Sequence, residues 1–384
     1  MSEIQQAKST VAEKLTFPTL DNIKTYVEKG LATLQLVPYG DKIKTLDAEV
    51  PHADLSDIDS FVGRDGQRLY GVVPDRADPA RVHFYKKDEA GNLVVDSVAS
   101  LKDLKGEVFA NGKIDAESIR FFQDQDGKIK AVITSEGESI GFDKAKTDGS
   151  VPAAERVRDP KIYICDLEYN EGKVNAVKVE REVSYPEHYL NKLKIDPADP
   201  KKSIDLSGAR SNASFESVAV TKDNQLVLIT EFPLAQDGAN ASTENKGLCR
   251  MLMIDLKDES KVKEFVYEID KVPVNTKTRE LLDAGGKVAN QENGVVSLYP
   301  HPNKENTYLV MERSFIRIVD KEDPKKTLFA DNSIRLYEAK IQENTTDVSG
   351  QKSIEGKNVL PLDKNILLDF ENLKDVFSKY GVRS

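Results

Sequence analysis

Two stretches of this chain, about a hundred residues apart, repeat one order of features. Each starts at an acid, passes through a strand-like segment, a turn and a second strand-like segment, and ends at another acid. The first stretch is Glu117–Glu136 with its turn at Asp126-Gly127, and the second is Glu216–Glu231 with its turn at Asp223-Asn224. Repeated units predict a repeat fold, in which equivalent residues of successive units come close together. We therefore expect these acids to converge.

The rest of the chain also consists of short runs that are either apolar or alternate between apolar and polar residues, and these runs are separated by Gly, Asp, Asn and Pro. Many short strands with little helix indicate an all-β fold: a sandwich, a barrel or a propeller. Four cognate segments begin near Asp57, Glu117, Glu216 and Gly294. Their repetition favours a β-propeller of about six blades, because the longer gaps between them have room for two blades of roughly 40–45 residues each. The alternative is one blade with insertions in each gap.

We expect a helical or flexible N-terminal segment over residues 1–33, where Ile23, Val27 and Leu31 recur at helical spacing. Residues 34–384 would form the single β domain. Short helices are expected within it around residues 187–194 and 278–283, and a short C-terminal helix around 371–379.

Composition excludes several classes of function. The net charge of −10 argues against a nucleic-acid partner, because phosphate would be repelled. No apolar run approaches the roughly 20 residues that a membrane-spanning helix needs. The first residues lack the basic and apolar regions of a signal peptide. The only two cysteines, Cys165 and Cys249, are too few for a four-cysteine zinc site, and both adjoin strand-like runs that predict buried thiols.

Several motifs resemble the phytase-like family, described as having the esterase-like activity of phytase. The resemblance runs from about Leu55 to Phe370. It is carried most strongly by Phe215-Glu216-Ser217-Val218-Ala219, Glu231-Phe232-Pro233-Leu234-Ala235-Gln236-Asp237-Gly238, Arg250–Leu256, Phe265–Asp270, Leu309–Phe315 and Ile334–Glu338. Asp115–Ser118 with Ser135-Glu136-Gly137 is similar to an earlier acidic motif of that family.

The resemblance implies a hydrolase that cleaves phosphoester or ester bonds of a small molecule on a β-propeller, in a secreted or periplasmic protein. Members of that family usually continue past the position of Ser384 into a further strand. We therefore expect the last blade to be incomplete in this chain.

The repeated acids supply the candidate chemistry. Carboxylates that converge repel one another, so they need a cation, an arginine or a shared proton. Hard oxygen ligands favour Ca²⁺ or Mg²⁺ over zinc, and we expect an acidic, calcium-binding central channel. The catalytic candidates are Glu231 and Glu216, either of which would act as the base. The candidate metal ligands are Glu117, Glu136, Asp237 and Glu312. The structural alternative is that each acid caps a strand or accepts hydrogen bonds locally.

Two arginines are candidates for binding an anionic substrate, because guanidinium offers a planar fork to phosphate or carboxylate. They are Arg313, which directly follows Glu312, and Arg335. A salt bridge between blades is the structural alternative for both. The alternative function is a non-catalytic propeller that binds a small ligand or a protein partner.

Overall fold

The computed structural model describes residues 55–74, 77, 79–89, 91, 93–110, 113–139, 157–194, 204–210 and 212–373. The predicted N-terminal helical segment, residues 1–33, lies outside these ranges. Within them the chain is mostly β-strand, as predicted.

Eight of the first ten strands form one sheet with the order β1-β2-β3-β4-β10-β9-β6-β5. The strands are β1 Leu55–Val62, β2 Arg68–Pro74, β3 Arg81–Lys87, β4 Leu93–Lys102, β5 Ala116–Gln123, β6 Ile129–Ser135, β7 Glu138–Ser139, β8 Val157–Arg158, β9 Lys161–Asn170 and β10 Lys173–Glu182. Strands β7 and β8 pair with each other outside this sheet. All neighbours in the large sheet are antiparallel except β4 and β10, which pair in parallel.

Two further four-stranded antiparallel sheets follow in chain order, with a small β11–β12 pair before them. Their strands are β11 Lys192–Lys194, β12 Ile204–Ser207, β13 Ser217–Val220, β14 Gln225–Ile229, β15 Gly247–Asp255, β16 Val262–Ile269, β17 Lys287–Pro300, β18 Thr307–Val319, β19 Thr327–Lys340 and β20 Asp363–Asp369. The described strands thus build four meanders of four strands each: β1–β4, then β5, β6, β9 and β10, then β13–β16, then β17–β20.

The prediction of about six blades is not supported. The long gaps that we interpreted as room for additional blades each contain one meander with insertions. The strand pairs β7–β8 and β11–β12 lie in the first gap. An α-helix, α1 Thr276–Asp283, lies in the second.

Helical structure is scarce in the described residues. The side chain of Asn275 caps α1 by accepting a hydrogen bond from the backbone N–H of Thr278 at 2.8 Å. The helices predicted around 187–194 and 371–379 are represented by the short 3₁₀ helices Glu187–Tyr189 and Phe370–Leu373, and residues after 373 lie outside the described part. No helix among the described residues is long and apolar enough to cross a membrane.

The first strand of each meander lies beside the first strand of the next. The backbone N–H of Ile119 donates to Asp57 at 3.0 Å, and that of Phe121 donates to Asp59 at 2.8 Å. Advancing two residues on β1 therefore advances two residues on β5, so the two strands run in the same direction. Because β1 and β5 are the two edges of the eight-stranded sheet, these bonds bring the sheet close to closing on itself.

Apolar side chains between successive meanders fix this arrangement. One core joins the first and second meanders and includes Phe84, Ile119 and Cys165. A second joins the second and third, and a third joins the third and fourth. Cys165 and Cys249 are both buried free thiols, as predicted. Burying apolar surface on both faces of the inner meanders stabilises the side-by-side placement of β1, β5, β13 and β17.

Candidate functional site

The repeated sequence unit is a β-hairpin with an acid at each end. In the first hairpin Glu117 is the second residue of β5, and Glu136 directly follows β6. In the second, Glu216 directly precedes β13, and Glu231 lies two residues after β14 ends. Because antiparallel pairing brings the two ends of a hairpin together, each hairpin delivers two acids to one place.

Three of these acids come together closely. One carboxylate oxygen from each of Glu136, Glu216 and Glu231 lies within 4.8 Å of the other two. We call these residues the glutamate triad. Glu136 and Glu231 are buried, with only 2% and 5% of their surface exposed, whereas Glu216 is half-buried. The triad therefore has one side that solvent and solutes can approach.

Backbone hydrogen bonds hold the triad in position. The N–H of Ser214 donates to Glu136 Oε1 at 2.7 Å, and the carbonyl oxygen of Ser214 accepts from the N–H of Glu231 at 2.7 Å. The carbonyl oxygen of Glu231 in turn accepts from the N–H of Val295 at 3.1 Å. The second, third and fourth meanders thus meet at these residues.

A glycine allows the fourth meander to approach so closely. A Cβ atom at Gly294 would lie 2.7 Å from Cγ of Glu231 and 2.9 Å from the ring of Phe232. Any larger residue at this position would displace Glu231.

The triad is electrostatically strained when all of its members are ionised. Two carboxylates 4.8 Å apart repel by about 3 kcal/mol at an effective dielectric constant near 20. Burial, followed by the charges of Glu231, Glu216 and Glu117, raises the pKa of Glu136 well above its ordinary value. Burial and the charge of Glu216 likewise raise the pKa of Glu231. These two acids therefore retain protons more readily than ordinary glutamates do.

One neighbouring cation offsets part of this repulsion. Nη2 of Arg313 lies 3.8 Å from Oε1 of Glu231, and half of the arginine side chain is exposed. Its charge lowers the pKa of Glu231, while the charge of Glu292 raises it. Glu292, on β17, is an acid of this site that the sequence analysis missed. Its position two residues before Gly294, the start of the fourth cognate segment, is a signal that could have identified it.

The donor set fits a divalent cation. Oε2 of Glu136 is buried and has no hydrogen-bond partner among the described residues. A buried carboxylate oxygen that lacks a partner is costly, and a cation at the triad would satisfy it. The ligands available are all carboxylate oxygens, the type that Ca²⁺ and Mg²⁺ prefer.

Asp237, which we expected among the metal ligands, lies in a different network. Its two carboxylate oxygens accept hydrogen bonds from Nε and Nη2 of Arg250 at 2.6 and 3.0 Å, and neither side chain is exposed. Nη1 of Arg250 also lies 3.3 Å from Oε1 of Glu264, an oxygen that accepts from Tyr189 and contacts His188. Arg250 thus neutralises Asp237 away from the triad.

Glu312, the fourth expected metal ligand, is likewise engaged elsewhere. It accepts hydrogen bonds from Tyr267 at 2.8 Å, from Asn293 at 2.8 Å and from Nζ of Lys364 at 2.7 Å. Lys364 comes from the last strand, β20, so this cluster fastens that strand to the third and fourth meanders. In this arrangement the carboxylate of Glu312 is occupied by these three donors.

Of the remaining residues that we expected at the site, some lie beside the triad and one does not. Glu117 lies close enough to the triad for its charge to raise the pKa of both buried members. Arg335 donates from Nε to Asp369 at 2.9 Å, which ties β19 to β20. Of the two arginines, only Arg313 lies beside the triad.

Comparison with known proteins gives one family. The sequence model of the phytase-like family, described as "Esterase-like activity of phytase", matches residues 53–381. This match covers nearly the whole chain and confirms the resemblance found in its motifs. None of the curated proteins matches. Among solved structures, a provisionally assigned exo-beta-1,3-galactanase from Bifidobacterium bifidum s17 is similar at 8% identity and a TM-score of 0.31, over 74% of this chain and 68% of that one.

Proposed function

Since this chain belongs to the phytase-like family, we propose that it hydrolyses ester or phosphoester bonds of small molecules at the glutamate triad. The observation that supports this site most directly is the buried, partnerless Oε2 of Glu136 within a cluster of three carboxylates. Clusters of acids with perturbed pKa values are concentrated at functional sites.

A divalent cation, for which Ca²⁺ is our proposal, would be held mainly by Glu136, with Glu117 nearby, and would lie beside the carboxylates of Glu216 and Glu231. Such a cation supplies Lewis-acid polarisation of a substrate oxygen and lowers the pKa of bound water. It would also offset the repulsion that otherwise keeps a phosphate away from this acidic place.

The chain's own residues have distinct roles in this proposal. Glu231 is the acid–base residue, because its raised pKa brings it closer to neutral pH, where proton transfer is most effective. Glu216 is the half-buried member and faces the approach route, so it is the second candidate for the base. Arg313, with its exposed guanidinium, orients the substrate anion.

The side-by-side inner strands and four meanders also support a propeller-like arrangement as a proposal about the fold. In such an arrangement the first strand of each meander faces a common axis. Acids at the starts of β5 and β13 would then meet at one end of that axis.

The test is hydrolysis of p-nitrophenyl acetate and p-nitrophenyl phosphate, measured with calcium and with a chelator. We expect calcium-dependent turnover that falls at least a hundredfold in Glu231→Gln, the size typical for loss of a general acid–base. The matched control is Glu355→Gln, which changes an exposed acid far along the sequence. Calcium binding without turnover of any ester would reject the hydrolase and favour the non-catalytic alternative. Turnover that is unaffected in Glu231→Gln would remove this residue from the reaction.

A further inference from the structure

A large cleft lies at the other end of the inner strands. Its volume is about 1250 Å³, and its lining includes Asp59, Phe121, Val220 and Tyr299. These residues lie at or near the C-terminal ends of β1, β5, β13 and β17, whereas the glutamates lie at or before the earlier parts of those strands. From Glu117 to Phe121 an extended strand advances about 13 Å. The cleft is therefore separate from the glutamate triad.

Arg120 forms part of the cleft wall and has unused hydrogen-bonding capacity. Its Nη1 donates to Asp57 and to the carbonyl oxygen of Ile119. Its Nη2 makes one long bond, 3.4 Å, to the carbonyl oxygen of Leu298. Its Nε has no partner among the described residues, although the side chain is only 7% exposed. The edge formed by Nε and Nη2 is the one with which arginine binds an oxyanion through two parallel bonds.

Asp59 also lines the cleft, and burial raises its pKa while the charge of Arg120 lowers it, but the two side chains form no hydrogen bond with each other among the described contacts. Asp59 already accepts a hydrogen bond from the backbone N–H of Phe121 at 2.8 Å. Burial is the largest cause that raises the pKa of Asp59, which favours its neutral form. Asp57, the acid that does pair with Arg120, binds the opposite nitrogen.

Two lysines at the rim of the cleft form no ion pair with the described acids around them. Lys222 and Lys263 are exposed, and neither forms an ion pair within the described part of the chain. Five cationic and four acidic side chains line the cleft, in a protein whose net charge is −10. An anion is therefore repelled far less here than at the glutamate triad.

The cleft also offers an apolar platform. Tyr299 lines the cleft with 52% of its surface exposed. Phe121 and Met253 add further apolar lining. An aromatic surface beside an arginine is typical of sites that bind a flat ring bearing a charged group.

We propose that this cleft binds a small organic anion, a carboxylate or phosphate group attached to a flat apolar body, with Arg120 as its anchor. Because Nε is itself buried, the oxyanion would bind the Nε–Nη2 edge after a small rotation of the Arg120 side chain toward the cleft, and the apolar body would rest on Tyr299. Lys222 and Lys263 would attract the anion from solution, so binding weakens as salt concentration rises. This inference does not depend on the proposed hydrolysis.

The test uses benzoate and phenylphosphonate, which distinguish a carboxylate from a phosphate source and cannot be hydrolysed. Titrations are made in a chelator, so that no cation links the probe to the triad. The readout is the methyl NMR signals of the methionines, of which the chain has four. We expect the signal of Met253, which lines the cleft, to shift on titration, while that of Met311 stays in place.

Variants assign the binding to named residues. Arg120→Lys keeps the charge but removes the planar edge, and we expect the Kd to rise at least tenfold. If this buried substitution unfolds the protein, the double variant Lys222→Ala/Lys263→Ala provides the test at exposed positions, with an expected weakening of about fivefold. Lys173→Ala, an exposed lysine on β10, is the matched control. Absence of any Met253 shift with both probes, or an unchanged Kd in the double lysine variant, would overturn the proposal.

Discussion

The glutamate triad makes a quantitative prediction about one neutral substitution, Glu136→Gln. Glutamine keeps the size of the side chain and an oxygen that can accept from the N–H of Ser214, but it removes one buried charge. In the absence of divalent cations, this substitution should stabilise the protein at pH 8. Most substitutions of buried residues destabilise, so the direction itself is diagnostic.

The magnitude follows from the geometry of the triad. Each partner oxygen lies within 4.8 Å, which corresponds to about 3 kcal/mol of repulsion at an effective dielectric constant near 20. Partial solvation of Glu216 reduces this value, and we expect a net gain of about 2 kcal/mol. For a chain of this size that gain is equivalent to a rise in Tm of roughly 3 °C.

The pH dependence of stability gives an independent prediction for the direction of the change that Glu136→Gln causes. The pKa of Glu136 is raised in the folded state above its ordinary value of 4.5. The stability that it contributes is thus fully present below pH 4.5 and is lost as the pH rises through the raised pKa. The gain from Glu136→Gln should therefore be small at pH 4 and should grow as the pH rises through the raised pKa of Glu136.

Differential scanning calorimetry in a chelator, from pH 4 to pH 8, measures this effect, with Glu355→Gln as the control at an exposed acid. Calcium should reverse the order of stability. At a hundred times its Kd it would stabilise the wild-type protein by about 2.7 kcal/mol and the variant much less. A variant that melts below the wild type at pH 8 without cations would refute the repulsion on which the site depends.

Three further substitutions test neighbouring features. Gly294→Ala should displace Glu231 and cost about 1–3 kcal/mol of stability by overpacking; calorimetry should also show a weaker response to calcium. Asp237→Asn leaves Arg250 without its bidentate partner and should cost about 3–5 kcal/mol, while the stabilisation by calcium, measured relative to the variant itself, stays unchanged. Should calcium no longer stabilise this variant, Asp237 would be a ligand after all. Arg313→Gln should raise the pKa of Glu231 further, which would appear as a shift of the acidic limb of the pH–rate profile to higher pH; an unshifted limb would show that the arginine does not act on Glu231.

The sequence predicted that several acids converge, among them Glu136, Glu216 and Glu231, because the relevant information is local. A hairpin with acids at both ends must bring those acids together, whatever the rest of the chain does. The repetition of this hairpin then placed Glu136 beside Glu216 and Glu231, once cores between the meanders had packed the two hairpins together.

Residues whose partners lie far away in sequence could not be assigned in this way. Asp237 lies in the short 3₁₀ helix Ala235–Asp237 after β14, and Glu312 lies in the middle of β18, but the sequence alone marks both as acids next to apolar runs, like the members of the triad. Their carboxylates are instead occupied by Arg250 and by Lys364, which lies 52 residues from Glu312. Only tertiary packing decides which acids acquire a cationic side chain.

The number of repeat units could not be predicted for a related reason. Spacing along the chain does not distinguish a second meander from an insertion. Between Glu117 and Glu216, the chain forms one meander and inserts two small strand pairs, β7–β8 and β11–β12, where we had allowed for a second complete blade.

Ser214 has a consequence for how the site can move. The N–H of Ser214 donates a hydrogen bond to the carboxylate of Glu136, and its carbonyl oxygen accepts one from the backbone N–H of Glu231. Any displacement of the segment around Ser214 must carry Glu216, which lies two residues further along the chain, and must also pull on the side chain of Glu136 and the backbone of Glu231. The three acids of the triad are therefore mechanically coupled through one short segment, and a substitution that moves Ser214 is expected to disturb all of them together.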